Sequence, residues 1–64
     1  MDYQRGDRVQ VRGYGGREAV LRVWELRDGG LLLCTESGFL GLQRGKDEPL
    51  VGFPLTDIVG KVTP

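Results

Sequence analysis

The feature that most constrains this chain is an alternation of polar and apolar residues near its N-terminus. Residues 5–12 read Arg-Gly-Asp-Arg-Val-Gln-Val-Arg, so that Val9 and Val11 alternate with polar neighbours. A glycine-rich stretch at residues 13–16 follows, and a second apolar run begins at Ala19. Because successive side chains of a strand point to opposite faces, this period of two predicts half-buried β-strands joined by tight turns.

Turn residues divide the apolar runs into five expected strands. These strands cover about residues 7–12, 17–26, 31–36, 49–53 and 58–62. Residues 28–30 (Asp-Gly-Gly) predict a hairpin with a three-residue loop. A loop of that length places Trp24 opposite Cys34. The same register places Leu26 opposite Leu32.

The rest of the chain divides into one tight turn and two irregular segments. Residues 54–57 (Pro-Leu-Thr-Asp) predict one 3₁₀ turn before the last strand, because proline fixes φ at the first corner of a turn. Residues 1–4 are expected to be a loose N-terminus. Residues 37–49 are expected to form a long loop, since Gly38 and Gly41 disfavour a helix. The whole chain, residues 1–64, is expected to form one domain.

A domain of this size has a marginal core, because it buries only about 60% of the surface of its unfolded chain. We therefore expect every apolar side chain that can point inward to do so. The expected core is Val9, Val11, Val20, Leu21, Val23, Trp24, Leu26, Leu31, Leu32, Leu33, Val51, Phe53, Leu55, Ile58, Val59 and Val62. Five short strands around such a core predict an all-β domain that closes into a small barrel.

Two short stretches resemble the Src-homology-3-like small-barrel superfamily. Residues 52–59, Gly-Phe-Pro-Leu-Thr-Asp-Ile-Val, resemble the Gly-x-x-Pro-x-Asn-Tyr-Val stretch that ends the eukaryotic signalling domains. Residues 6–11, Gly-Asp-Arg-Val-Gln-Val, resemble the Gly-Asp-x-Val-x-Val start of bacterial and ribosomal members. The two matches cover about 14 of 64 residues. The resemblance implies an all-β, five-stranded Src-homology-3-like small barrel with one 3₁₀ turn before the last strand.

The chain departs from the signalling domains where those domains bind proline-rich peptides. Their groove uses an Ala-Leu-Tyr-Asp-Tyr segment, a tryptophan that opens the third strand and a tyrosine in the terminal stretch. Here the first segment is absent, Trp24 falls in the second strand and Ile58 replaces the tyrosine. Recognition of proline-rich peptides is therefore not expected.

Composition removes several classes of function. Nine basic and nine acidic residues cancel, so that no global field attracts nucleic acid or anionic lipid. With no histidine and one cysteine, the chain is expected to hold no structural zinc, other metal or cofactor. The apolar runs are too short for a membrane span, and no signal-peptide pattern is visible. Together with the lone cysteine, these features predict a cytoplasmic protein.

No residue is expected to be catalytic. Cys34 ends an apolar run, and a buried free cysteine is usually an inert small hydrophobe. Asp47 and Glu48 are adjacent, and neighbouring side chains of extended chain diverge, so the two carboxylates cannot flank one reacting bond. The chain is therefore not expected to be an enzyme. An oligomeric enzyme that assembles its pocket between subunits remains a third hypothesis.

Nucleic-acid binding is the alternative hypothesis, and it depends on one face of the first strand. Arg8, Gln10 and Arg12 project from that face, and Arg22 on the neighbouring strand can join them. Zero net charge weighs against this hypothesis, because phosphate binding depends on an excess of cations.

The leading hypothesis is a non-catalytic interaction module that binds an unknown protein partner or forms a small homodimer. The candidate partner-binding residues are Tyr14, Trp24, Phe39 and Leu40. A small domain cannot cover every large apolar side chain, and exposed apolar patches and sheet edges are places where proteins associate. We expect contact through residues 13–16, Trp24 and residues 37–49.

Overall fold

The computed structural model describes residues 3–62, except for the side chain of Tyr14. The elements are β1 (Arg8–Tyr14), β2 (Arg17–Arg27), β3 (Gly30–Cys34), α1 (Glu36–Gln43), β4 (Val51–Pro54), a 3₁₀ turn (Leu55–Asp57) and β5 (Ile58–Lys61). The strands form one antiparallel sheet in the order β4-β3-β2-β1-β5. The prediction of five strands with a 3₁₀ turn before the last one is confirmed.

The sheet is open, which corrects the prediction of a closed barrel. Within residues 3–62, β4 pairs only with β3, and β5 pairs only with β1. A barrel closes when the first and last strands of the sheet pair with each other. Here β4 and β5, each four residues long, are the two edges of the sheet.

The core lies on one face of the sheet. Its buried members are Val9, Val11, Leu21, Val23, Leu31 and Leu33. Tyr3, Ala19, Phe53, Leu55 and Ile58 pack against them while partly buried. Tyr3, which falls in the segment expected to be a loose N-terminus, packs against the core. Residues 1 and 2, on which the same prediction falls, lie outside the described part of the chain.

Several residues expected in the core are exposed instead. Val20, Leu26, Val51 and Val59 are between 41% and 52% exposed. Val20 lies between Ala19 and Leu21 on β2, so its side chain points away from the core that its neighbours join. Residues Val51 and Val59 lie on the two edge strands, where no further strand in residues 3–62 covers them.

The hairpin of β2 and β3 has a two-residue loop, which corrects the predicted register. Arg27 pairs with Gly30, leaving Asp28 and Gly29 at the tip, and Gly29 has a positive φ of +72°, which glycine adopts without steric cost.

This shorter loop and a bulge further along β2 together change the strand partners. Cys34 lies opposite Arg22, and Leu26 lies opposite Leu31. Trp24 is the extra residue of a bulge between the pairs of Val23 and Glu25.

Helix α1 replaces the first part of the loop predicted at residues 37–49. The Thr35 side chain caps its start by accepting a hydrogen bond from the Gly38 N–H at 3.0 Å. Gly45, with φ of +81°, ends it in a Schellman motif, in which the Lys46 N–H donates to the Gly41 carbonyl.

The two helical glycines, which favoured a loop in the sequence, permit close packing in the structure. A Cβ added at Gly41 would clash with the side chain of Glu48. At Gly38 it would lie 3.0 Å from the Thr35 hydroxyl oxygen. The glycines thus allow the chain after α1 to return against the helix.

Candidate functional site

Arg22 organises the sheet face opposite the core, which we call the outer face. Its guanidinium lies 4.1 Å from the centre of the Phe39 ring, so that a cation covers the aromatic side chain that anchors α1. Its Nε donates to the Gly6 carbonyl at 2.9 Å, and its Nη1 pairs with Glu36 at 2.5 Å. Only 14% of the Arg22 side chain is exposed. The residue therefore joins β2, the N-terminal segment and α1.

Trp24 belongs to the same cluster and is neither a core residue nor a free surface aromatic. Its ring packs edge-on against Phe39, with ring centres 5.8 Å apart and planes at 75°. The Arg5 guanidinium covers the ring at 4.2 Å, and its Nε donates to the Trp24 carbonyl at 2.6 Å. The indole is half-buried between these neighbours.

The structure does not gather the four candidate partner-binding residues into one exposed patch. Phe39 is 4% exposed, so its ring offers no surface to a partner. Leu40, the next residue on α1, is 49% exposed. Tyr14 is the last residue of β1, and its side chain lies outside the described part of the structure. Trp24 contacts Phe39, whereas no described contact joins Leu40 or Tyr14 to this pair.

The candidate nucleic-acid residues lie on neighbouring strands, and each of them has an acidic partner. Arg8 lies directly opposite Arg22, and both arginines pair with Glu36. Arg12 pairs with Glu18 at 3.8 Å, and the Gln10 amide donates to Glu18 at 2.7 Å.

These pairings neutralise much of the positive charge of the outer face. The two glutamates offset two of the three charges of the candidate arginines Arg8, Arg12 and Arg22. A phosphate would have to displace a carboxylate at each arginine, which reduces the gain from binding.

Cys34 is placed where a thiol is unreactive. It is 4% exposed and its Sγ donates to the Arg22 carbonyl at 3.7 Å. Burial raises the pKa of the thiol, with smaller raising contributions from Glu36 and Glu48, while the positive charge of Arg22 lowers it. A cavity of about 70 Å³ adjoins it, lined by Leu21, Leu33, Cys34, Thr35, Pro49 and Val51. Cys34 is thus a buried structural residue.

The two sheet edges differ in character. On β5, Lys61 pairs with Asp7 at 3.3 Å, and a bulge at Val59 interrupts the pairing with β1. Strand β4 carries no charge and pairs with β3 in an unbroken register. A groove of about 270 Å³ lies beside β4, between the tip of the β2–β3 hairpin and Pro54.

Reasoning from the sequence missed Glu36, which holds two arginines, and the exposed edge at Val51. The signal for Glu36 was its position directly after Thr35, where an acidic residue in the first turn of a capped helix is favourable. No local signal could have shown that β4 is an edge, because that depends on the order of all five strands.

Comparison with protein-family models, curated proteins and solved structures found no match to this chain. None of the helices within residues 3–62 has the length and apolar content needed to cross a membrane. The same residues contain no cluster of three or more acidic, cysteine or histidine side chains arranged to hold a metal ion.

Proposed function

We propose that this chain is a non-catalytic module that binds another protein chain, either a different protein or a second copy of itself. The observation that carries the proposal is the open sheet, whose two edge strands expose Val51 and Val59 at 41% and 48%. An unpaired strand edge presents backbone donors and acceptors that a partner strand can satisfy, and apolar side chains beside it add to the binding free energy.

The reactive groups of the chain support binding rather than catalysis. The Cys34 thiol is buried and its pKa is raised, so that little of the nucleophilic thiolate forms at neutral pH. Glu36 and Glu18 are held by arginines. An enzyme with a pocket between subunits would have to use reactive side chains other than Cys34 and these paired glutamates.

Nucleic-acid binding is the outcome that would replace this proposal. Since Glu18 and Glu36 partner the arginines, we expect the wild-type chain to bind single-stranded DNA or RNA no more tightly than about 100 µM at physiological salt. Fluorescence anisotropy with labelled oligonucleotides, read at several salt concentrations, measures this directly. Replacing both glutamates by glutamine should strengthen binding and steepen its salt dependence.

We further propose that the chain is a partly open relative of the Src-homology-3-like barrels. The 3₁₀ turn between β4 and β5, with Pro54 before it, supports this relation. The free thiol of Cys34 supports a cytoplasmic location, where thiols stay reduced.

The test of the proposed function has two parts. The chain is immobilised, proteins retained from an extract of its source are identified, and each candidate is purified and titrated against the chain. Sedimentation velocity tests association between copies of the chain. Saturable binding to a purified protein, or self-association, supports the proposal. A chain that does neither contradicts the proposal, and salt-dependent binding of oligonucleotides would then replace it.

A further inference from the structure

The edge strand β4 has fewer of the features by which proteins block the pairing of exposed edges than the edge strand β5 has. Charged residues, especially lysine, and bulges are common protections. Strand β5 has both, in Lys61 and in the bulge at Val59. Strand β4 reads Val-Gly-Phe-Pro and has neither, with only Pro54 at its end.

The register of β3 and β4 determines which backbone groups point to the open side. Pro54 lies opposite Gly30, and since proline has no N–H this must be a pair without mutual hydrogen bonds. Hydrogen-bonded and non-hydrogen-bonded pairs alternate along antiparallel strands, so the adjacent pair of Leu55 and Gly29 should be hydrogen-bonded. The Leu55 N–H does donate to the Gly29 carbonyl, at 3.0 Å.

Following the same alternation along β4 identifies the free groups. Phe53 and Leu31 form a hydrogen-bonded pair, and Gly52 and Leu32 form the next pair without hydrogen bonds. The N–H and the carbonyl of Gly52 therefore both point away from β3, toward the open edge.

We propose that the partner at this edge is a second copy of the chain, with β4 pairing antiparallel to β4 about a two-fold axis at Gly52. This inference rests on the proposed function and names its partner. The outward N–H and carbonyl of Gly52 in each copy satisfy each other, which gives the self-complementary contact that a two-fold dimer needs. The register also places Val51 of one copy opposite Phe53 of the second copy.

The side chains on the two sides of the strand fit this register. Val51 and Phe53 lie opposite Leu33 and Leu31 of the core, so pairing would extend the apolar face of one sheet into the next. Val51, now 41% exposed, would be covered.

On the other side of β4, space is already present. A Cβ at Gly52 would meet only the end of the Leu32 side chain, at 3.8 Å. Leu50, which is 37% exposed, would fall beside Pro54 of the second copy, where the groove of about 270 Å³ lies.

The dimer should be weak. Pairing of two four-residue strands covers on the order of a few hundred Å² per copy, against the ~800 Å² per partner of stable complexes. We therefore expect a dissociation constant between about 10 µM and 1 mM.

Sedimentation velocity of the full chain from about 10 µM to 1 mM tests the proposal with two matched variants. Val51→Lys puts a charge opposite the Phe53 ring of the second copy and should weaken association at least about tenfold. Val59→Lys introduces the same change on the β5 edge, at a valine of similar exposure, and should leave association unchanged.

A second pair of variants separates loss of pairing from loss of folding. Gly52→Pro removes the outward N–H but no hydrogen bond to β3, so the chain should fold and stay monomeric. Gly52→Ala keeps the N–H and should still associate. In a mixture of labelled and unlabelled chains, the close approach of opposite strands predicts an intermolecular NOE between the Hα atoms of Val51 and Phe53.

Monomeric wild-type chain at 1 mM overturns the inference, as does association that persists in folded Gly52→Pro. Association lost in Val59→Lys and retained in Val51→Lys overturns the choice of edge and leaves the proposed function standing. Failure of the function itself appears separately, as the absence of both self-association and binding to any purified protein.

Discussion

Arg22 is the residue on which the outer face depends most. Only 14% of its side chain is exposed, and Glu36 is the acidic residue that pairs with it. A charge that is largely removed from water is costly when it loses its partner, whereas an exposed ion pair contributes little. The two glutamates of the outer face therefore have different consequences for stability.

We predict that Glu36→Gln lowers the free energy of unfolding by about 1–2 kcal/mol, because it leaves the Arg22 guanidinium without its counter-charge. Glu18→Gln is the matched control, since Glu18 pairs with Arg12, whose side chain is 70% exposed, and should cost no more than about 0.5 kcal/mol. Urea denaturation followed by tryptophan fluorescence measures both. Equal losses for the two variants would contradict this role of Arg22.

The buried thiol predicts a pH dependence. The pKa of Cys34 in the folded chain is raised above its ordinary value of 9.0, so the folded state holds the thiol proton more tightly than the unfolded state does. The stability that this provides is fully present below the ordinary pKa and is lost as pH rises above it toward the raised pKa.

Comparing the wild-type chain with the Cys34→Ala variant separates the contribution of the thiol to stability from the contributions of other titrating groups. The difference in unfolding free energy between wild type and variant should be constant from about pH 6 to 8 and should shrink above about pH 9. Denaturation at a series of pH values gives the difference. A difference that grows with rising pH would mean that the thiolate is stabilised in the fold.

At the scale of elements, sequence patterns predicted strands better than the helix. Alternation around Val9 and Val11 follows directly from the geometry of a strand, and both residues are fully buried. Helix α1 was missed because Gly38 and Gly41 lower intrinsic helix propensity. The sequence nevertheless contains residues typical of helix ends, Thr35 before the first turn and Gly45 after the last turn. Propensity was outweighed by capping and by the packing that the glycines allow.

The cap at Thr35 can be tested directly. Thr35→Ala removes the oxygen that accepts from the Gly38 N–H and should cost about 1 kcal/mol of stability. Thr35→Ser keeps that oxygen and should cost less than half as much. Thermal denaturation followed by circular dichroism compares the two. Similar losses would show that the threonine methyl group, rather than the hydrogen bond, supports α1.

At the scale of the whole molecule, the sequence could not show that the sheet stays open. Strand periodicity is a property of each strand alone, whereas a closed barrel requires β4 and β5 to pair with each other. Whether they pair depends on the arrangement of all five strands in the sheet. The ion pairs of the outer face could not be predicted from the sequence for a similar reason. Arg8 and Arg22 could be placed on adjacent strands from the sequence, but their shared partner Glu36 comes from α1, which was not foreseen.

The most direct test of protein binding through the β4 edge is the amide spectrum of ¹⁵N-labelled chain, recorded from about 20 µM to 1 mM. We predict concentration-dependent shifts centred on Val51, Gly52 and Phe53, with the Gly52 amide protected from exchange at high concentration, and no comparable shifts in β5. A spectrum that is unchanged over this range would contradict pairing through β4, and shifts of the outer-face arginines when single-stranded RNA is added would favour nucleic-acid binding instead.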